Sequence, residues 1–192
     1  MSGIPKTPIS LESEKALLGS LIIDCESWEK ISNLVTPSDF YDANNRDIFV
    51  EIYELQINDQ PLDILILEES LKSRDKLNKI GGMEYLKELA KAVPTSAHIE
   101  KYAQIVREKS VMRKLIGAST RTIENIHQDE GDIRTILDKA EADIFSIASD
   151  SKKNEGLVKI GPIVNEMVDS IYNKKNNNVI DYLLTGYSKL DE

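Results

Sequence analysis

The chain has 192 residues, 41% of them apolar, and its 33 acidic against 24 basic side chains give a net charge of -9. That balance supports a buried core and argues against a dedicated nucleic-acid clamp, which needs a strongly basic surface to displace counterions from phosphates. The single Cys25 excludes an internal disulfide. No apolar run is long enough to span a bilayer, and the opening "MSGIPKTPIS" lacks a secretory pattern, so a cytoplasmic protein is expected.

Residues 10–35 read as two helices. Ser10 is placed to cap the first, Glu12 and Glu14 suit its positive end, and Leu11, Leu17, Leu18, Leu21 and Ile22 supply its apolar side. A short segment with Trp28, Ile31 and Leu34 ends before Thr36-Pro37. Phe49, Ile52, Tyr53 and Leu55 then recur at helical spacing. The run Ile64 to Leu67 is short enough to be a strand, but the following Glu-Glu-Ser-Leu-Lys favours a helix with Asp63 as its N-cap. Gly81-Gly82 breaks the chain, and "MEYLKELAKAV" is a short helix stopped by Pro94.

From Ser96 the pattern lengthens. Ile99, Tyr102, Val106, Met112, Leu115, Ile116, Ile123 and Ile126 mark one long helix. After "HQDEGD", Ile133, Ile136, Leu137, Ala140, Ile144 and Phe145 line a return helix, so the two form an antiparallel hairpin. The apolar stripe of the long arm either packs within the chain or waits for a partner. Past the polar "SDSKKNEG", Ile160, Ile163, Val164, Met167, Val168 and Ile171 mark an amphipathic helix with Pro162 in its first turn. A helix that short is marginal alone, so docking decides whether it folds. The expected fold is all-α: a helical head over 1–95, the hairpin of the same domain over 96–149, and a linker over 150–183 with its helix at about 160–173.

Catalytic chemistry is not apparent. No phosphate-cradling G-x-x-x-x-G-K-[ST] or G-x-G-x-x-G occurs. His98 and His127 stand far apart without a neighbouring cysteine, so no metal-ligand spacing can be drawn. Arg107, Lys114 and Arg121, with Lys109 and Arg113 nearby, share one face of the long helix. They read as a nucleic-acid stripe or a solvated face, and the acidic total favours the solvated face.

Five stretches, in order, resemble the N-terminal part of the bacterial DnaB-type replicative DNA helicases: "PISLESEKALLGSLIID", "DFYDANNRDIF", "PLDILILEESL", "IGGMEYLKELAKAVPTSAHIEKYAQIVREKSVMRKLI" and "LTGYSKLDE". Asn45 stands where a histidine is common in the family. The last stretch, over 184–192, resembles the opening of the family's RecA-like motor, whose phosphate-binding loop lies beyond it. The resemblance implies a collar and linker without the motor, with no ATP or magnesium site in this chain. The family's full-length activity is ATP-driven unwinding by a hexameric ring.

It also implies partners. A dimer, and from it a trimer of dimers, would form through the hairpin, with Val106, Met112, Leu115, Ile123, Ile136, Leu137 and Ile144 as its apolar residues. The primase C-terminal domain would contact Glu12, Tyr85 and Ile116. Tyr85 is either an anchor or a core tyrosine, Ile116 either an anchor or a seam residue, and Thr122 departs from an apolar position of that surface. The linker helix, through Ile160, Ile163, Val164, Met167, Val168 and Ile171, would dock on a neighbouring subunit's motor. DNA contact is expected to be weak at most. The alternatives are a piece of the helicase enzyme as a whole, a regulatory adaptor, or a DNA-binding helical module.

Overall fold

Leu17, Leu18 and Leu21 recur at steps of three and four, and all three are fully buried, because one face of the first helix is enclosed by three others. That helix, α1 (Leu11–Ile23), packs against α3 (Ala43–Ile57), α5 (Gly82–Lys91) and the long α6 (Ile99–His127). The short α2 (Trp28–Ile31) follows a single 3-10 turn at Cys25–Ser27, another such turn at Pro37–Asp39 leads into α3, and α4 (Ile64–Ser73) lies against α3 and α5. The return helix α7 (Ile133–Lys152) runs back along α6. These elements come from a computed structural model that describes residues 7–127 and 132–152, all within one compact unit. No strand occurs among the described residues, so Ile64 to Leu67 open a helix. The amphipathic segment around Ile160 to Ile171 and the motor-like stretch from Leu184 lie outside them.

The helix ends follow from side-chain chemistry. The Asp42 carboxylate accepts from the Asn44 and Asn45 amides and starts α3, and Asp63 does the same for Leu65 and Ile66 at the start of α4. Ser10 stands at the expected cap position of α1, but its hydroxyl donates to Ser13 Oγ at 2.9 Å and makes no cap hydrogen bond. Gly81 enters α5 with φ of +103°, a left-handed backbone that side chains disfavour.

Phe40, Phe49 and Ile52 form the middle of the core. Phe40 and Phe49 pack with ring centroids 4.6 Å apart, and Trp28 leans on Phe49 at 5.9 Å and on Tyr53 at 5.7 Å. Ile99, Ala103 and Val106 bring the first turns of α6 into this core. At the foot of α6, Asp24 accepts from the Ser27 and Ser96 hydroxyls, each at 2.6 Å. The Ser27 hydroxyl first, and then that of Ser96, hold the Asp24 carboxyl below its ordinary range.

Candidate interaction surface on the helical hairpin

At a rise of 1.5 Å per residue, the 29 residues of α6 extend about 43 Å. Along its first turns the buried positions step by four and three: Ile99, Ala103, Val106 and Ser110. Beyond Ser110 only Ala118 is buried on α6, and among the described residues of α7 only Ile136 and Ile147 are buried. The seam between the two helices is therefore thin in apolar atoms.

Charge completes that seam. The guanidinium of Arg121 holds Asp143 through two nitrogens at 2.8 and 3.1 Å, and the Lys114 ammonium approaches Asp150 at 3.9 Å. Arg107 donates to the buried Asp39 carboxylate at 2.8 Å and to the Asp150 main-chain carbonyl at 2.7 Å. Arg113 donates to the Pro8 and Asp39 carbonyls at 3.0 and 2.6 Å and lies over the Tyr41 ring. The basic stripe is split: Arg107 is turned inward onto Asp39, whereas Lys114, 32% exposed, and Arg121, 58% exposed, stay at the solvated edge of the seam beside Asp150 and Asp143. Heptad spacing shows that the residues share a face. It does not show that acids on α7 meet that face.

The opposite side of the hairpin is apolar and open. Met112, Leu115, Ile116, Ile123 and Ile126 on α6, and Ile133, Leu137, Ile144 and Phe145 on α7, are all exposed, from 39% at Leu115 to 71% at Phe145. Of the seven hairpin residues expected to pair, Met112, Leu115, Ile123, Leu137 and Ile144 lie on this open side. Val106 and Ile136 do not: they are buried within the chain, at 2% and 9% exposure. Phe145 and Ile133, absent from that set, are more exposed than any of its members. Their position on the apolar stripe of α7 was legible, but which of its faces α6 would cover was not.

The three residues expected to meet primase lie on three helices. Glu12 is exposed in the first turn of α1 and lines a groove with Thr7, Ile9, Leu11 and Tyr41. Tyr85 lines a different groove, beside Gly81, Glu84, Lys87, Glu88 and Lys91. Ile116, 52% exposed, lines neither. The Tyr85 hydroxyl donates to Asn45 Oδ1 at 2.7 Å, and the Lys15 ammonium sits 5.4 Å from its ring centroid while pairing with Glu88 at 2.7 Å. Half-burial pushes the Tyr85 phenol above its ordinary value, against the opposing pull of Lys15. The Thr122 hydroxyl turns back to the Ala118 carbonyl at 3.0 Å.

Sequence reasoning missed the polar spine behind Tyr85. Glu14, only 2% exposed, accepts from the Tyr41 amide at 2.7 Å, the Asp42 amide at 3.3 Å and the Asn45 side chain at 3.0 Å. Asn45 thus donates to Glu14 and accepts from Tyr85, joining α1, α3 and α5. The signal was present: Glu14 shares the helical face of Leu17, Leu18 and Leu21. Among the described residues no group of three His, Cys, Asp or Glu side chains could hold a metal, and no helix is long and apolar enough to cross a membrane.

Head, hairpin and open apolar face define an all-helical domain of the head-and-hairpin kind. The chain belongs to the DnaB-like helicase N-terminal domain family, which matches it over residues 6–108. It is 34% identical over 190 residues to the replicative DNA helicase DnaB of Haemophilus influenzae, and 35% identical over 186 residues to that of Geobacillus stearothermophilus. Each match covers 96% of this chain but only 41% and 40% of those relatives. The N-terminal domain of DnaB helicase from Mycobacterium tuberculosis superimposes with a TM-score of 0.70 at 29% identity, over 73% of this chain and 99% of that one. A DnaB-like replicative helicase solved to describe its interactions with primase shares the fold, with a TM-score of 0.61 at 23% identity, over 84% of this chain and 35% of that one.

Proposed function

We propose that this chain is the assembly and docking module of a replicative DNA helicase, acting without catalysis of its own. The observation that carries the reading is the open apolar face of the hairpin. Each large side chain there contributes about 1.5–3 kcal/mol when fully covered, and a contiguous exposed apolar patch marks an interaction site. The occupant is a second copy: two hairpins laid face to face make a four-helix arrangement in which Leu137, Ile144 and Phe145 of each find apolar cover. Such pairs then build a ring as a trimer of dimers. The ATP-driven motor, with its magnesium, belongs to the further length that the relatives have and this chain does not match. The linker residues Ile160 to Ile171 dock on a neighbouring motor.

Self-association tests this directly. Sedimentation equilibrium should find a dimer for the wild type, and Leu137→Asp with Ile144→Asp should weaken it about a hundredfold or more without loss of helix by circular dichroism. A wild type that stays monomeric at high micromolar concentration would sink the pairing.

The module also docks the C-terminal helical domain of primase, a reading supported by the family resemblance and by the exposure of Glu12 and Ile116. In a calorimetric titration with the same organism's primase domain, Ile116→Asp and Tyr85→Ala should each weaken binding by about 1–3 kcal/mol. Tyr85→Phe separates ring contact from scaffold, since it keeps the ring and loses only the bond to Asn45. Equal affinity for all variants would move the primase surface elsewhere. DNA binding has little support, because the heptad-spaced cations Arg107, Lys114 and Arg121 each pair with an acid within the chain.

A further inference from the structure

Arg107 does more than its place in a basic stripe requires. Its guanidinium is only 13% exposed and faces an Asp39 carboxylate with no exposure at all. Asp39 is itself fixed by the Thr36 amide at 2.8 Å and the Thr36 hydroxyl at 3.0 Å, at the end of the 3-10 turn Pro37–Asp39. The same guanidinium donates to the carbonyl of Asp150, within the last turn of α7 (Ile133–Lys152). The final four carbonyls of a helix lack partners inside it, and that end carries partial negative charge. Arg107 therefore supplies, from another helix, a cationic cap to α7 while bound to the head. Its Nε is buried without a partner, so the residue holds this position at the cost of an unmet donor.

We infer that Arg107 is a latch: it clamps the C-terminal end of α7 to the head, and by holding α7 against α6 it completes the apolar face on which the second copy packs. The inference rests on the pairing proposed above and adds its regulation. Among the described residues of α7 only Ile136 and Ile147 are buried, and the α6–α7 ion pairs are half-exposed or long, where screening leaves them little strength. A 20-residue helix with so thin a seam does not hold by apolar burial alone. With the latch open, α7 undocks as a unit while the head stays folded.

Native-state hydrogen exchange on the full chain, followed by mass spectrometry, reads this segment by segment. Arg107→Lys keeps the charge but not the planar fork that reaches two acceptors at once. It should speed exchange across α7 about tenfold or more, leave α1, α3 and α5 at wild-type rates, and weaken self-association in parallel. Arg121→Gln, at the exposed pair, should change α7 by less than about threefold. Unchanged α7 protection in Arg107→Lys overturns the latch, as does loosening of head and α7 together.

Faster α7 exchange with undiminished self-association overturns the coupling to the apolar face. A monomeric wild type would refute the pairing, yet leave the exchange test of the latch intact. Should Arg107→Lys fail to fold, the wild type decides: α7 must open below the head as denaturant is raised, and exchange of α7 only through global unfolding overturns the latch.

Discussion

Asn45 shows how one side chain connects packing to a candidate contact residue. Its carboxamide uses one donor on Glu14 and one acceptor on Tyr85, both within an amide's capacity. Tyr85 is thus both a surface residue and the outer end of a buried network, so neither reading of it excludes the other. Tyr85→Phe leaves Asn45 Oδ1 without its donor and should cost about 1–3 kcal/mol in denaturant unfolding.

The pH dependence has a definite sign. Burial raises the Tyr85 phenol above its ordinary value of 10.0, so the folded chain keeps this proton to higher pH than the unfolded chain. The corresponding stability is present below that value and lost as pH rises through the folded one. Comparing unfolding of the wild type and Tyr85→Phe at about pH 8 and about pH 11 should show the steeper alkaline loss in the wild type. Parallel curves would mean that Tyr85 ionises freely.

Between elements, close approach decides the geometry of α1 and α5. A Cβ built on Gly19 would lie 2.1 Å from the Leu89 carbonyl oxygen and 3.5 Å from Val93. Because the obstacle is backbone, it cannot rotate aside, and the two helices must separate. Gly19→Ala should destabilise the chain by at least about 1–3 kcal/mol, the range of ordinary overpacking, with a visibly lower Tm. An unchanged Tm would show that α5 slides to make room. The glycine was visible in "LLGSLII", but the requirement for it was not, since Leu89 lies far along the chain. The α4 segment is the converse case: local chemistry alone, Asp63 as the cap and Glu-Glu-Ser-Leu-Lys after the Ile-Leu run, settled helix against strand.

At the level of the whole molecule, the buried cluster of the head extends along the chain only as far as Val106. α7 contributes nothing to that cluster, so a stop codon after His127 should leave the head's Tm within a few degrees of the full chain's, while abolishing self-association. Loss of cooperative unfolding in the truncated chain would show that α7 supports the head. The same division explains the charge pattern. A chain with a net charge of -9 pairs Arg107, Arg121 and Lys114 with Asp39, Asp143 and Asp150, while the apolar face of the hairpin is left open.

What the sequence determined by itself was local and periodic: helix positions from apolar spacing, the start at Asp63, the long arm and its return, and the family from five stretches in order. Those follow from chemistry within a few residues of each site. What only the tertiary structure decided was which face of each amphipathic helix is covered. Period places Val106, Ile136, Leu137 and Ile144 alike on apolar stripes, but burial separates the first two from the others. The roles of Arg107 and Glu14 were hidden for the same reason: their partners, at Asp39, Asp150, Asn45 and Tyr41, are brought to them only when the chain closes on itself.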